Sequence, residues 1–339
     1  MNITVILCTY NRCQSLAKAL VSVAASTLPD STEWEVLVVD NNSRDLTREV
    51  VEDFCREQPG RFRYMFEAQP GKSHALNAGI REARGDVLAF MDDDVTVDSA
   101  WLQNLTATLL QGPWVGVGGP VLPQRDFVIP NWINANERYA LAPLAMLDLG
   151  RTRSELTEAP FGTNMAFQRK MFEKYGGFQT DLGPQPGSEI RGEDSEFACR
   201  LLAAGERLYY EPSAVVYHAV PQNRLRKEYF LTWWFDKGRA DLRALGIPPD
   251  TRWSVAGVPL VWLRRFAMWT MRWMVSFGSS RRFLPRIKVW YLAGQIRESY
   301  RQRRDMVQIA DDGKLALDDK CPGVGLSMDA ISTEGSHER

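Results

Sequence analysis

The 339-residue chain predicts an α/β fold, a mostly parallel sheet flanked by helices, followed by a helical, basic C-terminal extension. Three observations carry this prediction. Apolar, β-branched runs alternate with helix-period segments through the first third, as in strand–helix–strand units that build a parallel sheet. The runs end in polar clusters, "TYN", "DNNS" and "DDD", and open α/β sheets bind ligands beyond the carboxyl ends of their strands. Between Pro221 and Arg304 stand 18 Lys/Arg against 5 Asp/Glu, with seven of the chain's 11 Trp, a shift of composition that marks a separate region.

The elements follow in order. Ile3 to Cys8 is a strand run. Arg12 to Ala25 carries helical spacing through Leu16, Leu20 and Val23. "WEVLVVD", Trp34 to Asp40, is a second buried strand, and residues 44–57 read as a helix. Phe62 to Phe66 is a third strand; Lys72 to Ala83 is helical, with Leu76, Ile80 and Ala83 on one side. Val87 to Met91 is a fourth strand, and Asp98 with Ser99 stands where a helix cap is expected. Residues 119–160 show no sustained period and read as loops and short helices. "FGTNMAF" reads as a strand, "RKMFEKYGGF" as a helix closed by a glycine turn, "GEDSEFACRLLAAG" as a helix ended by Gly205, and "RLYY" and "AVVYH" as strands. The expected organisation is 1–220 as one domain, with halves at 1–118 and 119–220. Residues 221–309 form the basic helical region, and a polar, acidic, disordered tail occupies 310–339.

Composition excludes several classes. Net charge is −1, which does not favour a nucleic-acid partner. The five cysteines, Cys8, Cys13, Cys55, Cys199 and Cys321, form no CxxC pair; this argues against a disulfide framework and a zinc site. The N-terminal run lacks a basic flank and is too short for a signal peptide. No stretch reaches the length of a spanning helix.

Three acids, Asp92, Asp93 and Asp94, close the fourth strand. Clustered carboxylates suit a hard divalent cation that shares its sphere with substrate phosphates; the alternative is a solvated turn or helix cap. "PGKS" lacks the first glycine of a Walker loop, because Phe66 stands there. Lys72 still begins a helix after a glycine, where phosphate is favoured; a solvated lysine is the alternative. Thr9, Asn11 and Arg12 follow strand one, with Tyr10 able to flank a base. Asp40 ends strand two, placed to accept hydrogen bonds from a nucleoside, against simple turn chemistry. Glu193 and Asp194 open a helix, where a carboxylate facing the cleft serves as general base and the helix dipole would lower its pKa. His218 ends another strand, as a metal ligand or a structural histidine.

In order and spacing, "VILCTYNR", "EVLVVDNNS", "GKSHALNAGIREARGDVLAFMDDDV", "GTNMAF", "GGF" and "GEDSEF" resemble an inverting family-2 glycosyltransferase of the GT-A fold, from about Ile3 to about His218. The resemblance implies a nucleotide-sugar donor, uridine being the usual base, and Mn2+ or Mg2+. It places Thr9, Tyr10, Asn11, Arg12 and Asp40 on the nucleoside, Lys72 and Asn77 on donor groups, and Asp92 with Asp93 on the base and ribose side. Asp94 binds the metal, completed by His218. Asp194 is the catalytic base with Glu193 beside it, and Gly162, Thr163 and Asn164 lie on the strand lining the sugar pocket. The "QxxRW" motif and spanning helices of processive members are absent, which implies single transfers. A nucleotidyltransferase is the alternative reading, disfavoured because "TYNRCQ" is not a glycine-rich loop; a non-catalytic nucleotide-sugar or membrane-binding module is another.

If residues 258–277 are helical, Val258, Trp262, Phe266, Trp269, Trp273 and Phe277 form one stripe, with Arg264 opposite and Arg265 and Arg272 flanking. Together with Arg281, Arg282, Arg286 and Lys288, this is the pattern of a helix lying on an anionic membrane surface. A core helix packed on its neighbours is the alternative. The membrane reading places the protein on the cytoplasmic face of a membrane and fits a lipid-linked or glycan acceptor.

Overall fold

The structure is a computed structural model and describes residues 2–124, 128–134, 140–186, 190–247 and 253–311. The chain divides into two compact units. The first comprises Met1–Phe127, Ala145–Glu189 and Glu193–Val220; the second comprises Val128–Leu144, Ile190–Gly192 and Pro221–Arg339.

The first unit runs β1 (Asn2–Thr9), α1 (Cys13–Ala24), β2 (Glu33–Asp40), α2 (Thr47–Glu57), β3 (Phe62–Phe66), α3 (Lys72–Glu82), β4 (Val87–Asp92), β5 (Val95–Val97), α4 (Trp101–Leu110), β6 (Gly116–Gly118), β7 (Val121–Pro123), β8 (Ser154–Leu156), β9 (Met165–Gln168), α5 (Lys170–Tyr175), α6 (Glu193–Ala203), β10 (Leu208–Tyr210) and β11 (Val216–His218). Eight strands form one sheet in the order β3-β2-β1-β4-β9-β6-β10-β8; β5, β11 and β7 form a second. Pairing is parallel from β3 through β4 and antiparallel where β9 enters.

The central strands are buried on both faces because helices cover both sides, so their sequences read as continuous apolar runs. Helix α1 buries Leu16, Ala19, Leu20 and Val23, one face of a 3.6-residue period. Helix α3 buries Ala75, Leu76, Ala78 and Gly79; Ile80 is only half-buried, so the face is turned slightly from the expected one. The cause is Gly79, where a Cβ would stand 2.8 Å from Ile6 Cγ2: the helix backbone lies close against the sheet.

Register brings the strand ends together. Thr9 pairs with Asp40, and Cys8 with Asp92. His218 pairs with Val95, beside Asp94. The three polar clusters therefore open on one edge of the sheet.

Two expectations need correction. "FGTNMAF" is not all strand: the Asn164 amide N–H bonds to the Phe161 carbonyl at 2.9 Å, so 161–164 is a turn and β9 begins at Met165. The irregular middle holds two short strands, β7 and β8, too brief to show a period.

In the second unit, α7 (Lys227–Leu245) is followed by a small hairpin, β12 (Ser254–Val255) and β13 (Val258–Pro259), then α8 (Leu260–Val275) and α9 (Ser279–Asp311). Helices α7 and α9 cross at two glycines. A Cβ on Gly238 would meet the Tyr291 carbonyl, and one on Gly294 the Phe235 carbonyl. Glu298, 1% exposed, binds Arg243 Nε at 2.7 Å and Arg239 Nε at 3.2 Å across the same contact. Burial alone would raise its pKa; hydrogen bonds and charge from the arginines hold it below the ordinary value.

The expected Trp stripe turns inward. Trp262 is buried, and Phe266, Trp269 and Trp273 are half-buried. Trp273 meets Trp290 of α9 edge-on at 6.0 Å, and Lys288 lies over Trp269. Val258 is buried in β13, and only Phe277 of the stripe stands fully open. Among the described residues no helix is long and apolar enough to cross a membrane. The tail expected from residue 310 lies outside the described residues, save Ala310 and Asp311, which end α9.

Candidate active site

The site grows from the turn after β4. Alternation along a strand would point Asp92 and Asp94 one way and Asp93 the other. The chain instead turns at Asp93–Asp94, and each acid meets its own partners. Asp92 Oδ1 accepts from Lys72 Nζ at 2.6 Å. Asp93 accepts from Thr9 Oγ1 at 2.8 Å and Arg12 Nη1 at 3.0 Å. Asp94 Oδ2 accepts from the same Arg12 nitrogen at 3.0 Å and lies 3.6 Å from His218 Nε2. Arg12 is thus the cation shared by two carboxylates, and Thr9 and Asp93 hold it at the end of β1.

A second ion cluster adjoins the first. Lys72 Nζ lies 3.6 Å from Glu193 Oε1 as well as against Asp92. Burial alone would lower the lysine pKa, but Asp92, Glu193 and Asp194 raise it well above the ordinary value, so it is a firm ammonium. Glu193 opens α6, yet its pKa is raised, contrary to the dipole expectation. Burial against the sheet and the neighbouring Asp194 outweigh the helix terminus and Lys72. Burial likewise pushes Asp93 up to about 6 in spite of Arg12, with Asp94 adding to the rise.

Asp194 is half-buried. Its Oδ2 accepts the Gly162 N–H at 2.7 Å, and its Oδ1 the Ser195 N–H at 2.7 Å. A Cβ on Gly162 would stand 2.6 Å from that Oδ2, so only glycine lets the turn before β9 approach the carboxylate.

Several of the expected site residues also tie loops and strands together. Asn77 donates to the Phe178 carbonyl and accepts the Phe178 N–H, both at 2.8 Å. This explains "GGF": Gly176 closes α5 at φ +80°, Gly177 leaves room for Asn77, and Phe178 packs among Phe90, Phe172 and Phe197. Asn164 is fully buried; its amide donates to the Pro120 and Ala214 carbonyls and accepts Trp101 Nε1–H. Asn11 sits at φ 52° and accepts the Arg44 N–H, joining the loops after β1 and β2. Asp93 is buried and accepts from Thr9 and Arg12. Thr163 is buried in the turn beside Gly162. Asp40 is buried and accepts from Tyr64 OH and the Ser43 N–H, at the strand end beside Thr9. Tyr10 is 52% exposed at the rim.

Sequence reasoning missed Asn41. It accepts the Gly71 N–H at 2.7 Å and donates to the Glu67 and Gln69 carbonyls, fixing the loop that delivers Lys72. Its only signal was a polar residue just past a strand.

Comparison with known proteins decides the family. The model for glycosyl transferase family 2 matches residues 4–176. The chain belongs to that family. This family-2 chain is 29% identical over 246 residues to succinoglycan biosynthesis protein ExoM of Rhizobium meliloti, covering 72% of this chain and 75% of that protein. It is 28% identical over 240 residues to a glucosyl-dolichyl phosphate glucuronosyltransferase of Haloferax volcanii, covering 69% and 75%. Its fold is similar to that of the mannosyltransferase PcManGT of Pyrobaculum calidifontis, solved with GDP-Man and Mn2+: TM-score 0.53, 22% identity, 92% of this chain and 76% of that one. The chain is therefore a nucleotide-sugar-dependent glycosyltransferase with the GT-A architecture.

Proposed function

We propose that this glycosyltransferase is metal-dependent and inverting. It takes the sugar of a nucleoside diphosphate sugar, a UDP-sugar first among candidates, and passes it singly to a hydroxyl of a lipid-linked or cell-envelope glycan. The observation that carries the reading is the separation of roles among the acids. Asp94 faces Arg12 and His218, while Asp194 is held apart on the Gly162 N–H.

The residues fit a divalent cation. The Asp94 carboxylate oxygen that attracts the Arg12 guanidinium lies 3.6 Å from the His218 imidazole nitrogen. Among the described residues no group of three or more His, Cys, Asp or Glu could hold a metal alone. Asp94 and His218 would therefore supply two ligands, and diphosphate oxygens and water the remainder. Bound there, the ion would neutralise charge on the leaving diphosphate.

The protein's own groups do the rest. Tyr10 and Asp40 flank the nucleoside at the ends of β1 and β2. Arg12 and Lys72, each held by carboxylates, present positive charge toward phosphates. Gly162 and Thr163 line the sugar side. Asp194 accepts the proton of the acceptor hydroxyl as that oxygen attacks the anomeric carbon from the face opposite the diphosphate. One base and one displacement invert the configuration. Glu193, protonated more readily than an ordinary glutamate, positions Lys72 and leaves the base role to its neighbour. Two relatives, named for succinoglycan biosynthesis and for a glucosyl-dolichyl phosphate substrate, support the acceptor class.

The test is release of nucleoside diphosphate from a panel of nucleotide sugars with Mn2+ or Mg2+. Asp94→Ala and Asp194→Ala should each abolish it. Unchanged turnover and metal dependence in Asp94→Ala would overturn the site assignment, and retention of the donor's anomeric configuration in the product would overturn the mechanism.

A further inference from the structure

We propose that the outward face of α8 docks on a bilayer surface carrying anionic lipids. The inference concerns the second unit alone and stands apart from the sugar chemistry. Helix α8 is apolar around most of its circumference. Its tryptophan side is covered by α9, and a helix apolar all round is ordinarily covered on every side. Here the other side is open. Val261, Leu263, Met268, Met271, Met274 and Val275 are 37–64% exposed. At 3.6 residues per turn they share a sector of about 160°. Arg264 lies within that sector, and Arg265 and Arg272 border it. Exposed aromatics stand beyond both ends: Trp253 at 75% and Phe277 at 86%.

Charge selects the occupant. From Thr251 to Arg297 the chain has nine Lys/Arg and no Asp or Glu. A second copy of this face would set arginine against arginine with no acid in the stretch to pair them. Anionic headgroups are attracted by this excess of positive charge without demanding a register, and unbranched methionines adapt to a fluid partner. The 16 residues of α8 span about 24 Å, short of the roughly 30 Å hydrocarbon core, so the helix lies in the interface and does not cross it. The docking face is thus the opposite of the tryptophan stripe that the sequence pattern suggested.

Flotation of the full chain with phosphatidylcholine vesicles, with and without phosphatidylglycerol, tests this. The protein should float with the anionic vesicles at low salt, less as salt rises, and stay down with phosphatidylcholine alone. Met271→Glu/Val275→Glu should abolish flotation. Arg264→Gln/Arg272→Gln should weaken binding roughly 30-fold, about five-fold per arginine. All four positions are exposed, and nucleoside diphosphate release in solution reports that each variant is folded. Failure of the wild type to float with anionic vesicles at low salt would overturn the proposal, as would wild-type flotation of the Glu variant. Light scattering adds one more refuting result: a wild-type dimer that the Glu variant breaks, with neither protein floating, would make the face a self-contact.

Discussion

Gly162→Ala is the smallest change that reaches the base. The added methyl would lie 2.6 Å from Asp194 Oδ2, 2.9 Å from its Cβ and 3.0 Å from its Cγ. Rotating the side chain cannot clear all three contacts, because the Cβ is fixed to the backbone of α6 and Oδ2 is held on the Gly162 N–H. The turn before β9, or the first turn of α6, must therefore retreat. Restoring ordinary contact with the oxygen needs a shift of about 0.8 Å. A displacement near 1 Å at a reacting group costs about 100-fold in rate. Turnover, measured as metal-dependent nucleoside diphosphate release, should fall by about that factor. The Kd for nucleoside diphosphate should stay within about two-fold, because only the transfer step uses Asp194. Strain of overpacking should lower stability by about 1–3 kcal/mol, so the assay is run well below the unfolding midpoint. Wild-type turnover in Gly162→Ala would refute the claim that this close approach positions the base; a matching loss of nucleoside diphosphate affinity would mean that the turn serves the donor instead.

Asn77→Ala should lose about 2–4 kcal/mol, since both backbone groups of Phe178 lose their partner. Donor KM should hold, and a raised KM at unchanged stability would restore Asn77 to the donor site. Glu298→Gln should cost roughly 3 kcal/mol at pH 7 by leaving Arg239 and Arg243 without their shared charge. The folded carboxyl ionises below its ordinary 4.5, so its contribution is complete above that value and fades as pH falls through the lower folded value. Urea midpoints of wild type and variant should converge as pH falls through that folded value, and a gap independent of pH would refute the charge argument.

What was legible in the sequence was whatever burial repeats along the chain. The strands β1, β2 and β4 announced themselves because helices cover both faces and their centres are apolar runs; the buried polar exceptions, Thr4 and Glu35, bond to each other. The crevice followed, since a parallel sheet puts all its strand ends on one edge. The partners of individual side chains were not legible. Asn77 and Asn164 stand among donor-site motifs, yet both spend their amides on backbone groups 101 and 44–50 residues away. Composition near α8 did not say which of its faces would be covered. A helix apolar all round has no unique stripe, and only the position of α9 decides which side remains open.

The three acids after β4 differ in how their charge is met, and this orders their importance. Asp92 has a lysine of its own, shared only with the buried Glu193. Asp93 is buried, with a hydroxyl and a guanidinium on its two oxygens. Asp94 shares that guanidinium at 3.0 Å, and Nε2 of His218 stands 3.6 Å from the same carboxylate oxygen. A carboxylate oxygen that converges with an imidazole nitrogen is where a divalent ion finds two ligands at once. Asp94→Asn should therefore weaken Mn2+ binding in the presence of nucleoside diphosphate by at least ten-fold, about 1.4 kcal/mol. Asp92→Asn should act mainly on the diphosphate through a freed Lys72, and Asp93→Asn on stability through Arg12. Manganese titrations of the three variants, followed by electron spin resonance, separate these outcomes. An equal loss in all three would mean that the ion feels only the summed charge of the cluster, and the division of labour argued from the geometry would fall.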